Sequence, residues 1–585
     1  MDINLQMRSV DLMVKFLKHD LKDVPSYGYA LQKQPALPAP VLEPLPRSTP
    51  ERMGMSSAAM ERLFRELSAQ PASLGLHACM VLRHGHVIAE GYWSPYKADV
   101  PNMLFSMSKS VVGTAVGIAI DEGVLTLDER VVDVFSDIVT PAMQKQHKTL
   151  TVRHLLTMSS GNRFNEVGSV LDDSWLRMFL ESVPKFEPGS AFEYNSLNTY
   201  VLAAILRRKT GLTLTEYLAP RLYAPLGITR YDWEVCPQSV EKGGWGLSLT
   251  LEDCAKLGQL YLNKGEWKGK RIVSREWVEM ATAKQIETPN GESKDGYGFQ
   301  IWMNGRDAYQ FNGAFGQYVI VLPALDAVVT IFSGSPQLFA EGSIMELLRA
   351  SFWVAEDAPL QDDPVLRERL CAYTASLHFA PVLPAGFSEA SDPAVYHKIL
   401  GLLDGREYRL ESNTGGLFPQ SLQAVHGNFT LGMDMVRFFR EGDALCMDLY
   451  EGYQRNTLRA MPDYMPGRAY LRGEEQLVGA RLFWKLEEDG DIRLFVVACF
   501  IETPFTRMIQ FDISGNAIRL TFHESPTVAE STNMLLQLIG YSPTAYIKRM
   551  AAATKRIPGM SEETITDTIL HLTLPVAEGG LIEAQ

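Results

Sequence analysis

The sequence predicts an α+β chain built in two parts, a mixed helix and strand unit followed by a C-terminal antiparallel β-domain. Three observations carry this. Residues 111–120 (Val-Val-Gly-Thr-Ala-Val-Gly-Ile-Ala-Ile) are apolar or small nearly all round, which marks a helix buried in a domain centre. A strand pair near residue 80 and another near residue 320 bracket a series of helical patterns. Beyond residue 395, short alternating apolar and polar runs recur between turn signals. A chain of 585 residues is long enough for two or three domains.

Taken in order, residues 1–50 form an N-terminal arm and connector, with six prolines between Pro35 and Pro50. A helix is expected over Met55–Leu67, where Ser56 and Ser57 can cap and Met60, Leu63, Phe64 and Leu67 share a face. Residues 79–82 and 87–89 then make a hairpin around Arg83-His84-Gly85-His86. His84 and His86 stand two apart, but turn composition favours polar hairpin-tip residues over metal ligands. Leu150–Gly161 reads as a short helix with a glycine cap, Phe186–Gly189 as a turn, and Tyr200–Arg208 as an amphipathic helix. Another helix is expected from Thr250, its cap, to Asn263, with Leu251, Cys254, Leu257 and Tyr261 inward. Residues 318–322 and 327–332 read as strands joined through Pro323–Asp326. The first unit thus spans 51–355. Asp357-Ala358-Pro359 and Asp362-Asp363-Pro364 punctuate a linker over 356–390, and 391–585 form the β-rich part, a small barrel or sandwich.

Composition is that of a soluble globular protein, 46% hydrophobic and 21% charged. A net charge of −14 with no basic run argues against nucleic acid and anionic membrane as main partners. The longest apolar stretch is too short to span a bilayer, and Met1–Asp20 lacks the uninterrupted apolar core of a signal peptide. Six scattered cysteines without a C-x-x-C point to free thiols in the cytoplasm, with neither disulfide frame nor zinc site. No cofactor or metal is expected. An arm and an added domain are compatible with a homo-oligomer of unspecified number.

Candidate chemistry starts at Leu104-Phe105-Ser106-Met107-Ser108-Lys109-Ser110, which opens the buried helix. Ser106 and Lys109 lie one turn apart and project from one face. A serine hydroxyl needs a base within hydrogen-bond reach, and a lysine kept partly neutral can be that base. The alternative is a capping serine beside a surface lysine, and the apolar helix argues against it, because a lysine at its mouth is costly without a task. Two further segments fit a serine hydrolase. Tyr194 offers a phenol that can shuttle protons, or else a ring packed on a core edge. Phe311-Asn312-Gly313-Ala314-Phe315-Gly316-Gln317 offers a glycine-rich strand edge whose N–H can complete an oxyanion hole, or else an ordinary turn.

Together these motifs resemble the serine β-lactamase and penicillin-binding-protein superfamily. The nearest branch is the class C-related one of family VIII carboxylesterases, aminohexanoate-oligomer hydrolases and D-aminopeptidases. Ser106-Met107-Ser108-Lys109 matches the first motif, Tyr194-Asn195-Ser196 the second, and Phe311-Asn312-Gly313 with Ala314 the third. The resemblance implies a β-lactamase-like fold over roughly residues 50–350, an antiparallel sheet flanked by helices plus an all-helical subdomain. It further implies Ser106 as nucleophile, Lys109 and Tyr194 as general base and acid, and Ser196 bonded into their network. Backbone N–H groups of Ser106 and Ala314 would then hold the oxyanion. Phe311 stands where the lactamases carry Lys or His, a cation suited to a substrate carboxylate. Its loss favours an esterase or amidase acting on a small ester, amide or peptide-like substrate over a β-lactamase or D-stereospecific peptidase. A non-catalytic binding protein on the same fold is the alternative of another class. Phe105, Trp245, Tyr297, Trp302 and Phe315 suggest an apolar acyl or aryl pocket, or plain core packing.

Overall fold

The computed structural model describes residues 29–35, 43–165, 168–169, 172–289, 295–305, 308–336, 341–352, 354–388, 392–411, 415–528, 530–531 and 576–582. Met1–Asp20 and the middle of the Pro-rich connector lie outside them. The first unit is a three-layer arrangement around a six-stranded antiparallel sheet. Its strands are β1 (Leu76–Arg83), β2 (His86–Tyr92), β3 (Trp302–Met303), β4 (Tyr309–Gly313), β5 (Gln317–Leu322) and β6 (Ala327–Ser333), in the order β2-β1-β6-β5-β4-β3. The sheet's two edges come from hairpins far apart in sequence, and β1 joins them by pairing with β6, Val81 opposite Val329. Strands β1, β5 and β6 are buried along their whole length, so they carry apolar runs instead of alternation.

Each face of the sheet has its own helical layer. One is covered by α1 (Ser57–Ser68), whose buried Met60, Leu63, Phe64 and Leu67 meet Val81 and Ile331. The other packs on α2 (Ser108–Asp121) and α5 (Leu251–Leu262), and behind α2 lies α4 (Ser196–Thr210), which packs on α2 and on α3 (Val152–Leu156). Ser56 Oγ accepts from Ala59 N–H and Thr250 Oγ1 from Asp253 N–H, capping α1 and α5 as their sequences suggest. Two helices differ from expectation. α3 stops at Thr157, not at Gly161. α4 begins at Ser196 behind an Asn195 cap and is buried on every side through Leu206, so it is a core helix with a short exposed end, not an amphipathic one.

Between the two sheets the chain is helical. α6 (Glu341–Phe352) and α7 (Pro364–Ala375) cover the face that α1 covers, and Arg65 of α1 lies 4.0 Å over the Tyr373 ring. α8 (Pro393–Leu403) turns Tyr396, Ile399, Leu400 and Leu403 into the apolar interior of the second sheet, and α9 spans Gln420–His426. α7 within the linker, and α8 and α9 within the β-rich part, differ from expectation.

The second sheet has ten antiparallel strands: β7 (Glu407–Leu410), β8 (Met435–Glu441), β9 (Ala444–Glu451), β10 (Gln454–Ala460), β11 (Met465–Leu471), β12 (Glu474–Leu486), β13 (Ile492–Phe500), β14 (Thr506–Ser514), β15 (Ala517–Ser525) and β16 (Val576–Leu581). Their order is β10-β9-β8-β7-β16-β15-β14-β13-β12-β11, and the sheet is a nearly closed barrel. Its two end strands meet through one side chain. Asn456 Nδ2 donates to Tyr470 O at 3.0 Å, and Tyr470 N–H donates back to Asn456 Oδ1 at 2.6 Å. Leu482, Leu494, Val496 and Ala498 point into the barrel, while Phe483, Phe495, Val497 and Cys499 pack against the first unit. Among the described residues no helix is long and apolar enough to cross a membrane.

His77 lies at this junction. It is fully buried, stacked 3.6 Å from Tyr96, and neither ring nitrogen has a hydrogen-bond partner. Burial pushes its pKa down from 6.5 to about 3. Below pH 6.5 the unfolded chain takes up a proton that the folded chain refuses. This contribution to stability is therefore complete above pH 6.5 and is lost as pH falls toward 3. The expected result is that His77→Phe removes about one proton, roughly 1.4 kcal/mol per pH unit, from the acid-side slope of unfolding free energy in urea titrations.

Candidate active site

The site assembles where the sheet edge, α2 and α4 converge. The chain enters through Asn102–Met103, which pairs with Leu247–Leu249, and then makes a tight 3₁₀ turn over Phe105–Met107 before α2 starts at Ser108. Ser106 therefore sits in the turn ahead of the α-helix, not within it. Between residues 100 and 119 every residue is buried except Ser106. Lys109, one turn on, is only 1% exposed.

Lys109 Nζ lies 2.7 Å from Ser106 Oγ, 2.9 Å from Ser196 Oγ and 2.7 Å from the Gly244 carbonyl oxygen. An ammonium can donate to all three. A neutral amine has two hydrogens for Ser196 and Gly244, and its lone pair then faces the Ser106 hydroxyl. The arrangement can thus take a proton from Ser106 without moving a heavy atom. Ser196 is presented by the first turn of α4. Asn195 fixes that turn by accepting from Leu197 N–H at 2.9 Å and donating to the carbonyls of Asn162 and Phe164. The Tyr194 ring centroid is 4.8 Å from Lys109 Nζ, and the ring stacks on Trp302 at 5.5 Å.

The strand edge approaches from the other side. β4 ends at Gly313, and Ala314-Phe315-Gly316 turn the chain into β5, where Gln317 pairs with Gly313. A Cβ on Gly313 would stand 2.1 Å from the Leu104 carbonyl oxygen, so only glycine lets this edge lie against the Ser106 turn. Below the turn, Gln317 Nε2 donates to the carbonyls of Ser333 (2.7 Å) and Phe315 (3.2 Å). Ser335 N–H donates to the Phe315 carbonyl at 3.0 Å. One neighbour of each candidate oxyanion donor is strained. Phe105 precedes Ser106 with φ 49°, and Phe315 follows Ala314 with φ 64°. Such a conformation costs a bulky residue about 1–3 kcal/mol and persists only where its surroundings enforce it.

Residues 60–351 match the Beta-lactamase family. A 6-aminohexanoate-dimer hydrolase of Paenarthrobacter ureafaciens is 30% identical over 299 residues, which are 44% of this chain and 72% of the relative. The chain belongs to the beta-lactamase family. Its homologues include hydrolases of the serine β-lactamase-like type. Among solved structures, a penicillin-binding-protein homologue from Caulobacter crescentus superposes with a TM-score of 0.44 at 18% identity, covering 51% of this chain and 97% of that one. A family VIII carboxylesterase superposes with a TM-score of 0.43 at 17% identity, covering 53% and 100%.

In this beta-lactamase-family chain Phe311 lies on the same face of β4 as Gly313. Its ring is buried edge-on against Tyr261 at 5.0 Å, and Tyr261 in turn hydrogen-bonds Thr114 of α2 at 2.8 Å. Asn312 is buried as well. The other aromatics divide into separate groups. Tyr297 and Trp302 pack around Tyr194, Trp245 stacks on Trp175 at 5.4 Å, and Phe105 and Phe315 belong to the barrel's apolar interior. His84 Nδ1 faces Asp326 at 2.9 Å and His86 Nδ1 the His84 carbonyl, and among the described residues no three His, Cys, Asp or Glu side chains converge on a metal position. The Gly244 carbonyl is a partner that sequence reasoning did not find. A backbone acceptor leaves no residue signature, and the only signal was the glycine pair Gly243-Gly244, where a Cβ on Gly244 would stand 2.6 Å from the Ser196 carbonyl oxygen.

Proposed function

We propose that this chain hydrolyses an ester or amide bond through an acyl-enzyme on Ser106. The observation that carries the reading is the position of Lys109 Nζ, buried and within 2.9 Å of both Ser106 Oγ and Ser196 Oγ, beside the one accessible residue of a buried segment. Ser106 Oγ adds to the substrate carbonyl carbon as its proton passes to Lys109 Nζ. The carbonyl oxygen becomes an oxyanion held by the N–H groups of Ser106 and Ala314. The intermediate collapses, the bond to the leaving alcohol or amine breaks, and that group takes the proton relayed from Lys109 through Tyr194. Water then adds to the acyl carbon by the same relay in reverse and frees Ser106.

Substrate class follows from position 311. A phenyl ring buried against Tyr261 offers no charge to a carboxylate, so substrates without a carboxylate next to the scissile bond fit best. Similarity to the 6-aminohexanoate-dimer hydrolase named above supports cleavage of an amide. Six unpaired thiols, five of them buried, support a reducing, cytoplasmic setting. The test is a substrate panel. Turnover of p-nitrophenyl butyrate or a linear N-acyl amide is expected to exceed that of nitrocefin and D-Ala amides by about tenfold or more in kcat/KM. Preferred hydrolysis of nitrocefin would overturn the esterase or amidase assignment.

A further inference from the structure

We propose that Phe505, on the barrel turn between β13 and β14, is a positioning residue for the Ser106 centre, holding both strained turns that flank the oxyanion donors. The proposal rests on the reading of Ser106 and Ala314 given above. Phe105, Phe315 and Phe505 form a closed triangle of edge-to-face rings, with centroids 5.1 Å (105–315), 5.0 Å (315–505) and 6.2 Å (105–505) apart. Phe505 is fully buried and the other two are 6% exposed, and all three belong to the barrel's interior cluster. The rings of residues 105 and 315 are thus seated by the barrel, although their backbones belong to turns of the first unit.

The backbone of the same turn grips both sides of the site. Glu502 O accepts from Met103 N–H at 2.8 Å, and Ile501 O from Asn102 Nδ2 at 3.0 Å, directly ahead of the Ser106 turn. On the other side Pro504 lies so close to Gly334 that a Cβ there would stand 2.6 Å from its carbonyl oxygen. The next residue, Ser335, donates its N–H to the Phe315 carbonyl. Phe505 itself is fixed by its N–H to Thr503 Oγ1 at 3.2 Å and its carbonyl to Phe500 N–H at 3.1 Å. Without the Phe505 ring, Phe105 and Phe315 lose the common wall that keeps their left-handed backbones in place. The two N–H groups then drift from the geometry a tetrahedral oxyanion needs, while substrate still binds.

The test compares wild type, Phe505→Ala, Phe505→Leu, Ser106→Ala and Phe438→Ala, a barrel-core truncation against Tyr408 and Phe511. Folding is checked by circular dichroism and thermal melting, turnover with p-nitrophenyl butyrate, and the oxyanion site by phenylboronic acid inhibition. Phe505→Ala is expected to lower kcat about tenfold with KM within about twofold and to weaken phenylboronic acid by a similar factor. Phe505→Leu should fall between it and wild type. Phe438→Ala should melt earlier yet keep kcat and the inhibition constant. A folded Phe505→Ala with unchanged kcat overturns the proposal and leaves the Ser106 reading intact. Should that variant not fold, an unchanged kcat in Phe505→Leu overturns it equally. Equal turnover by wild type and Ser106→Ala would overturn the Ser106 reading and the proposal with it.

Discussion

Ser106→Ala is expected to fold normally and to lose at least about a thousandfold in kcat on p-nitrophenyl butyrate, since removing a nucleophile that works as a unit with its base leaves only residual binding catalysis. Folding should survive because Ser106 is the one residue of its segment that is not buried, and the change removes a single oxygen from the turn. The variant keeps Lys109 Nζ on Ser196 and the Gly244 carbonyl, so the buried amino group keeps hydrogen-bond partners. Intact-mass measurement after a fluorophosphonate gives an independent readout, with wild type gaining one adduct and the variant none. A variant retaining a tenth of wild-type turnover would remove Ser106 from the chemistry.

Gly313→Ala has the next largest expected effect, and its origin is purely geometric. The added Cβ would meet the Leu104 carbonyl oxygen at 2.1 Å, a distance no real contact tolerates, so β4 and the Ser106 turn must separate. The obstacle is backbone, which cannot swing aside as a flexible side chain would. A shift of about 1 Å between nucleophile and oxyanion donor costs on the order of a hundredfold in rate. The fall should appear in kcat more than in KM and should be accompanied by a lower melting temperature. Alanine at 313 with wild-type kcat would show that the strand edge does not serve the reaction.

Much of the first unit is legible in the sequence because its elements announce themselves locally. The apolar run of residues 111–120, the Thr250 cap and the β-branched strands at 318–332 each obey a period or a capping rule that tertiary contacts then satisfy. Ser106 and Lys109 could be paired from one turn of helix. Their approach to Ser196 followed from a family pattern, since nothing in the spacing of residues 109 and 196 encodes it. Tyr200–Arg208 misled because its polar residues are concentrated at the end that emerges from the core, where they imitate a face. The Pro393–Leu403 helix carries Tyr396, Ile399, Leu400 and Leu403 at helical spacing, but it is short and precedes a long run of strands whose texture dominated the region. The contacts of Phe505 are invisible to any local rule, because they arise from docking one folded part onto another.

The three phenylalanine rings are drawn from widely separated stretches of the chain. A nascent polypeptide emerges N-terminus first, so Ser106 and Lys109 exist long before the turn that carries Phe505 is made. Contacts of such sequence separation form late in folding, after local hairpins and helices are in place. Birth order therefore staggers the protein's capabilities: the reactive pair is made first, and its final alignment waits for the turn that carries Phe505, about 400 residues later, and the closing of the barrel.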